Sequence, residues 1–439
     1  MNWRRIVITI AQIAAVTVIS LLFSKTTIYE LTSIPAMNSS MSGMDFKMSD
    51  VYNSVVNQTS ETQRSNNVAI VNIDDCSREE VAEVIRLLDS FSPAAVGLDE
   101  IYPKEKKHDA ELISALRSCR NLVLPQRILG FQNRPDYIHE DKSYFYDDSF
   151  AHYGILNLET ADLDCPVRRF RPVYTLEDST EVYGMATELV RIASPEAFEN
   201  LMKKVRSGDD TLLVSYPNVS FETVTGEELL HKRDSIEKNF RGAELAAARD
   251  SLAAPFAGKI VLVGELNDGH DFHLTPIDIT MPGVEIQAYT VETILSEKFL
   301  REATEEQNWN IAIVICIIFL TLNFISVNHF PNVGKVLLRL LQIGCLFQCY
   351  IIGSIIYYYN GLYVDFMPTF TMIALGFFSY DIWVGAVGIV QGIIRWFRGR
   401  KSRREKRRAK FLSKQRRLKE KWEAQEQKRR ERKAHKEAK

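Results

Sequence analysis

Four apolar segments, residues 6–23, 309–327, 336–359 and 366–394, bracket one large charged block in this 439-residue chain. Each reaches or approaches the roughly 20 residues that carry a helix across about 30 Å of hydrocarbon. Only Asp381 places an acid or base deep inside one of them. The pattern predicts a membrane protein with four transmembrane helices and a folded domain, residues 24–308, between the first and second. A basic tail, residues 395–439, closes the chain.

The cations set the expected orientation, because cytoplasmic segments next to spans collect Lys and Arg. Arg4 and Arg5 precede the first span, Lys335 and Arg339 flank the link after the second, and Arg395, Arg398, Arg400 and Lys401 open the tail. The link between the third and fourth spans, 360–365, has no cation. Four crossings put both termini on one side, read as cytoplasmic, with residues 24–308 periplasmic or extracellular and the chain in the plasma (inner) membrane. Arg4 and Arg5 before an apolar run also fit a cleaved signal peptide. The run ends Leu-Leu-Phe-Ser-Lys, however, with no small-x-small cleavage site, which favours a retained anchor.

The formal net charge of −2 averages two unlike surfaces. Residues 395–439 hold 22 Lys and Arg against 6 Asp and Glu, so the tail carries about +16 and the remainder about −18. Cysteine usage is less informative. Cys76, Cys119 and Cys165 fall in the outer domain and Cys316, Cys345 and Cys349 in the spans. Three is odd, so one outer thiol is unpaired or pairs between chains. In an alternating layout Cys76 ends a strand and Cys119 ends a helix, at opposite sheet edges, so no disulfide is expected between them; Cys76 with Cys165 stays open.

The outer domain reads as α/β, a largely parallel sheet covered by helices. Residues 68–73 are a buried-strand run. Ser77 and Glu80 form a capping box that opens a helix with Val81, Val84, Ile85, Leu88 and Phe91 on one face. A strand at 94–98, a helix at 110–116 and a strand at 122–124 follow. Then come a helix at 183–192, strands at 212–215 and 221–224, a helix from 226, a strong strand at 259–264 and a helix at 284–295. Alternation of this kind argues for parallel pairing. Two stretches fit poorly: 126–150, an aromatic and acidic loop, and 233–254, a charged, alanine-rich insert suited to a surface helix.

Ligands of open parallel sheets bind beyond the C-terminal ends of the strands. That rule selects Asp74 and Asp75, then Asp99 and Glu100, then Glu265, Asn267, Asp268, His270, Asp271 and His273. Carboxylates with two histidines at one edge suit a cation or cationic ligand. The competing reading is that Asp74, Asp75 and Asn267 cap helices and form turns. His270 and His273 make only a loose metal motif, with no second ligand pair, so no metal or other cofactor is expected. A second dense spot, Asp162, Asp164, Arg168 and Arg169, reads first as carboxylates and arginines pairing to fix a loop, and second as ligand-binding. Asp381 is costly in lipid and must face protein or water; a functional role and a packed hydrogen bond with Ser379 or Tyr380 weigh equally. No glycine-rich phosphate loop, nucleophile elbow or zinc-protease helix motif is present, so no enzyme is expected.

Several of these strings resemble a known family. Val-Ala-Ile-Val-Asn-Ile-Asp-Asp (68–75), Ala-Ala-Val-Gly-Leu-Asp-Glu-Ile-Tyr (94–102), His108-Asp109, and Tyr-Gly-Ile-Leu-Asn (153–157) resemble the CHASE type-2 extracellular sensor domain. So do Asp162-x-Asp164-x-x-Val-Arg168-Arg169, Gly-Lys-Ile-Val-Leu-Val-Gly (258–264), Thr275-Pro276 and Met-Pro-Gly-Val-Glu (281–285). The likeness covers about residues 45–305, and one span, the sensor, then three spans is the arrangement it implies. It also implies a receptor for an unidentified signal, usually joined to a cytoplasmic kinase or cyclase. Here no output domain follows the fourth span, so the implied partner is a separate cytoplasmic signalling protein, and likeness to such receptors implies a homodimer. The chain departs from the family at 74–77, where Asp-Asp-Cys-Ser runs straight into the helix.

The tail is rich in helix formers, and its later acids and bases alternate at spacings that support a solvated helix. Its early part is almost purely basic beside the bilayer, where anionic headgroups attract cations by about 1 kcal/mol each. Trp396 suits the interface. Nucleic acid is the weaker partner, because aromatic interleaving is sparse. The leading expectation is a membrane sensor relaying to a cytoplasmic partner; the alternatives are a membrane scaffold or assembly protein, and an extracytoplasmic metal-dependent hydrolase.

Overall fold

Strand β1 (Gln63–Asn72) shows why the sheet is buried on both sides. Val68 and Ile70 pack into one apolar cluster, while Ala69 and Val71 pack into another. Both side-chain sets are apolar because both faces carry helices. The structure, a computed structural model, describes residues 3–33, 50, 53, 61–129, 139–147, 150–159, 165–175, 180–206, 208, 210–269, 271–329 and 334–437.

The remaining strands of this sheet are β2 (Ala95–Asp99), β3 (Leu122–Leu129), β4 (His139–Lys142), β5 (Tyr153–Ile155), β6 (Val219–Thr225) and β7 (Ile260–Gly264). Their order is β6-β1-β7-β2-β3-β4, with β5 also paired to β3. Every ladder is parallel except β3–β4, a hairpin at the edge.

The helices are α1 (Trp3–Ser33), α2 (Arg78–Ser90), α3 (Asp109–Ser118), α4 (Met185–Ala193), α5 (Pro195–Val205), α6 (Gly226–Asn239), α7 (Gly242–Ala253), α8 (Gly283–Leu295), α9 (Glu305–His329), α10 (Gly334–Asn360) and α11 (Met367–Glu437). On one face of the sheet, Ile85 and Leu88 of α2, Leu112 and Leu116 of α3 and Leu229 of α6 meet Val71, Val96, Leu98 and Val263. On the other, Leu189 of α4, Leu201 of α5 and Val291 of α8 meet Val68, Ile70 and Leu262. The capping box at α2 is formed in both directions: Glu80 N–H donates to Ser77 Oγ (3.3 Å), and Ser77 N–H donates to Glu80 Oε2 (2.7 Å).

Two stretches differ from the reading by sequence, and a third agrees with it. The 126–150 region is no simple loop: β3 runs on to Leu129 and β4 pairs with it, while Phe145, Tyr146 and Phe150 pack on the core. Helix α5 was not anticipated. In the 233–254 insert, α6 continues to Asn239 and α7 follows with no buried residue, as a surface helix would. Cys76 and Cys119 are free thiols, so neither considered disulfide of Cys76 is formed.

The chain divides into two units. One joins residues 27–309 with 343–367. Within it, a two-residue strand, Arg301–Glu302, pairs in parallel with Leu362–Tyr363. Arg301 N–H donates to Gly361 O (2.7 Å), Ala303 N–H to Tyr363 O (2.8 Å), and Asp365 N–H to Asn308 Oδ1 (3.2 Å). Gly361 makes this turn possible: at φ +58° it ends α10 in the left-handed region, which glycine adopts without steric penalty.

The other unit comprises residues 1–26, 310–342 and 368–439. Phe23 of α1 meets Phe378 of α11 edge-on at 6.4 Å, and the Gly376 position lies beside Ser20, Cys316 and Leu320. Across the described residues, three helices hold stretches long and apolar enough to cross a membrane, Val7–Ser24, Glu305–Ile325 and Leu340–Asn360. The expected fourth span falls on α11, where shorter apolar stretches, Met367–Gly376 and Ile382–Phe397, lie on either side of Asp381.

Candidate functional site

The parallel strands end together. Asn72 of β1 is level with Gly264 of β7, and Gly264 with Asp99 of β2. The loops that leave these positions therefore carry Asp74, Glu100, Glu265, Asp268, Asp271 and His273 to one edge of the sheet. The carboxylates do not share one job.

Asp74 ties two loops. Its Oδ1 accepts from the backbone N–H groups of Leu266 (3.0 Å) and Asn267 (3.1 Å), and its Oδ2 from Asn72 Nδ2 (2.7 Å) and from the Asn267 side chain. Burial opposes its charge, but these donors outweigh burial and hold the carboxyl below its usual range. Asp271 serves helix α8: its Oδ2 and its backbone oxygen both accept from Gly283 N–H, each at 3.1 Å. A carboxylate is favoured there by the exposed amides and the dipole of the helix start. His273 Nε2 lies 3.3 Å from the other oxygen of Asp271.

Asp99 and Glu100 have a different environment. Neither side chain has a hydrogen-bond partner among the described residues. Burial, followed by the charges of Asp271 and Glu100, pushes Asp99 up to about 7, with Arg127 opposing. Burial, followed by the charges of Glu265 and Asp268, pushes Glu100 up to about 7, with Lys106 and Arg78 opposing. Like charges confined together disfavour full ionisation, so this edge is poised to hold a proton or to accept a positive group.

Glu100 and Glu265 line a cleft of about 370 Å³, together with Ile73, Cys76, Arg78, Val81, Tyr102, Pro103, Lys104 and Lys106. Arg78 is committed. It donates to Asp109 and to Lys104 O (2.9 Å), and its guanidinium carbon sits 4.7 Å above the Tyr102 ring. Asp109 also accepts from Tyr144 Oη (2.6 Å) and Lys106 N–H (2.7 Å), which fixes the loop forming the cleft wall. Tyr102 is 6% exposed, and its buried hydroxyl has no hydrogen-bond partner among the described residues. Burial, then the Glu80 charge, pushes the Cys76 thiol up to about 11, so it is protonated at neutral pH.

Reading strand ends selected Asp99, Glu100 and Glu265 but not Arg78, Tyr102, Asp109 or Tyr144. Tyr102 and Asp109 stand in the strings that carry the family resemblance, which was the available signal. Among the described residues no three His, Cys, Asp or Glu side chains are arranged to hold a metal ion. His270 lies outside the described residues, and Asp74 is occupied by amides.

The second dense spot is described only in part. Asp162 and Asp164 lie outside the described residues. Arg168 pairs with Asp50, in a fork of Nε to Oδ1 (2.8 Å) and Nη2 to Oδ2 (2.7 Å), with the two residues 8% and 5% exposed. Arg169 donates to Thr211 O (3.0 Å) and Oγ1 (2.9 Å) and pairs with Glu302. Glu302 belongs to the short strand on Leu362–Tyr363, and Asn53 accepts from Tyr357 Oη of α10. Arg168 and Arg169 thus join segments of one unit. Asp381 lies on α11, and its side chain is outside the described residues; the neighbouring Ser379 is buried, and its hydroxyl has no partner among the described residues.

A largely parallel sheet covered by helices on both faces, with its motif residues at one edge, defines an α/β module. The family model of the CHASE2 domain matches residues 18–323, and the chain belongs to that family, whose domains are sensory. No curated protein and no solved structure matches the chain.

Proposed function

We propose that the chain is an integral membrane sensor whose domain, on the outer face, detects a signal and relays it through four transmembrane helices to a separate cytoplasmic partner. In this reading both termini are cytoplasmic, the fourth span is the first part of α11, and the basic remainder of α11 lies against anionic headgroups and offers the contact surface. The chain itself catalyses nothing.

One observation carries the relay: the ladder between Arg301–Glu302 and Leu362–Tyr363. Arg169, on a sensor strand that pairs with Leu212–Leu213, holds Glu302 from the side. A ligand-driven shift of the sensor base would therefore pull directly on the turn between α10 and α11. Membership in a sensory family supports the same reading. The alternative, a scaffold that uses the sensor fold to bind envelope proteins, makes a different prediction. Full-length protein and a variant ending at residue 395 are used as bait from detergent-solubilised cells. Recovery of a kinase or cyclase on the full chain alone is expected. Recovery of envelope proteins on both, with no signalling enzyme, would favour the scaffold.

A further inference from the structure

The cleft beside β2 combines features that select a ligand chemistry. Glu100 and Glu265 face it without hydrogen-bond partners among the described residues; burial and then the Glu265 charge disfavour ionisation of Glu100, and burial and then the Asp268 charge disfavour that of Glu265. Tyr102 contributes to the wall, and its hydroxyl, buried and without a partner among the described residues, lies in the field of Glu100, Arg78 and Glu265. A buried hydroxyl left unsatisfied is costly. Ile73, Val81 and Pro103 supply an apolar wall, and about 370 Å³ falls within the size of small-molecule sites.

We infer that this cleft is the sensor's ligand site and that its ligand is a small organic molecule carrying a primary ammonium group. The ammonium would sit between Glu100 and Glu265, with the Tyr102 hydroxyl as a further acceptor and a short hydrocarbon body against Ile73, Val81 and Pro103. A metal ion is disfavoured by the lack of a third ligating side chain among the described residues. An anion is disfavoured because Arg78, half-buried in the cleft wall, is held by Asp109, while Lys104 and Lys106 are exposed at the rim. The inference rests on the sensor reading only in calling the ligand a signal.

Binding also has a pH signature. The ligand requires Glu100 ionised, and Glu100, facing Glu265, Asp268, Lys106 and Arg78, titrates near about 7. Affinity should therefore rise about tenfold from pH 6 to pH 8. The test is thermal unfolding of the detergent-solubilised full chain at pH 7.5 with n-butylammonium, each of the twenty L-amino acids, n-butanol and magnesium chloride. The expected result is a midpoint raised by several degrees by an ammonium compound, none by n-butanol or magnesium, and loss of the shift in Glu265→Gln and Glu100→Gln. A shift by n-butylammonium marks the ammonium alone as sufficient; a shift by amino acids only identifies that source. Both variants should melt no lower than the parent without ligand, which separates lost binding from misfolding, and Tyr102→Phe should fold and bind more weakly. No shift with any ammonium compound, an equal shift with n-butanol, or a shift retained in Glu265→Gln would overturn the inference. Binding without recovery of a cytoplasmic enzyme would leave the site and remove the relay; recovery without binding would do the reverse.

Discussion

At the scale of single residues, Glu100 has the most consequential protonation state. Folding raises its carboxyl from an ordinary 4.5 to about 7 through burial and the charges of Glu265 and Asp268. Between those values the folded chain keeps a proton that the unfolded chain has released, so stability is highest below about pH 4.5 and declines as pH rises to about 7. Asp99, raised for the same reasons, adds to the decline. Glu100→Gln should flatten part of this slope and raise the melting midpoint at pH 8 by roughly 1–2 kcal/mol equivalent, after allowance for solvent screening, with little change at pH 4.5. Melts of parent and variant at the two pH values test it; an equal effect at both would show that the carboxylate is not strained.

Which of these residues could be picked out in advance follows from how local their roles are. Asp99 and Glu100 stand where a strand stops, which is visible in the order of residues. The capping pair Ser77 and Glu80 is equally local. The partners of Arg168 and Arg169 lie at Asp50 and Glu302, and no spacing rule reaches across such separations. The unpartnered hydroxyl of Tyr102 depends on how residues 143–146 fold back over it, with Tyr102 N–H donating to Ser143 Oγ at 3.0 Å.

At the scale of elements, close packing of β5 on α4 makes a sharp prediction. A Cβ placed on Gly154 would lie 2.6 Å from Met185 Cα, a backbone atom that cannot swing aside. Gly154→Ala should therefore cost about 1–3 kcal/mol as strand and helix separate, whereas Gly269→Ala, with nothing within 4 Å of its added carbon, should stay within about 0.5 kcal/mol. Paired thermal melts check both, and equal effects would refute the packing. The strands at 68–73, 94–98 and 259–264 were legible because each is an apolar run filling two faces. The polar first half of β1 and the edge strand β4 were not, because their pairing is decided by neighbours rather than by hydrophobicity. Helix α5 carries a local start signal, Pro195 at its first position after Ser194.

At the scale of the whole molecule, the account depends on two charge populations kept apart. The acidic part of the chain, residues 1–394, carries about −18 and the tail about +16. Apolar helices divide them, and three of these are long enough to cross a membrane by length and composition. The tail's helix is held partly by its own pairs, among them Lys419 with Glu423 (3.9 Å) and Arg430 with Glu426 (3.6 Å), while Phe411, Leu418 and Trp422 stay exposed. The most direct measurement is the side of the membrane on which each population resides. Alkaline phosphatase, active only outside the cytoplasm, is fused after Leu31 and, separately, after Lys428. Activity at the first junction and none at the second is the predicted result; the reverse pattern would contradict the account.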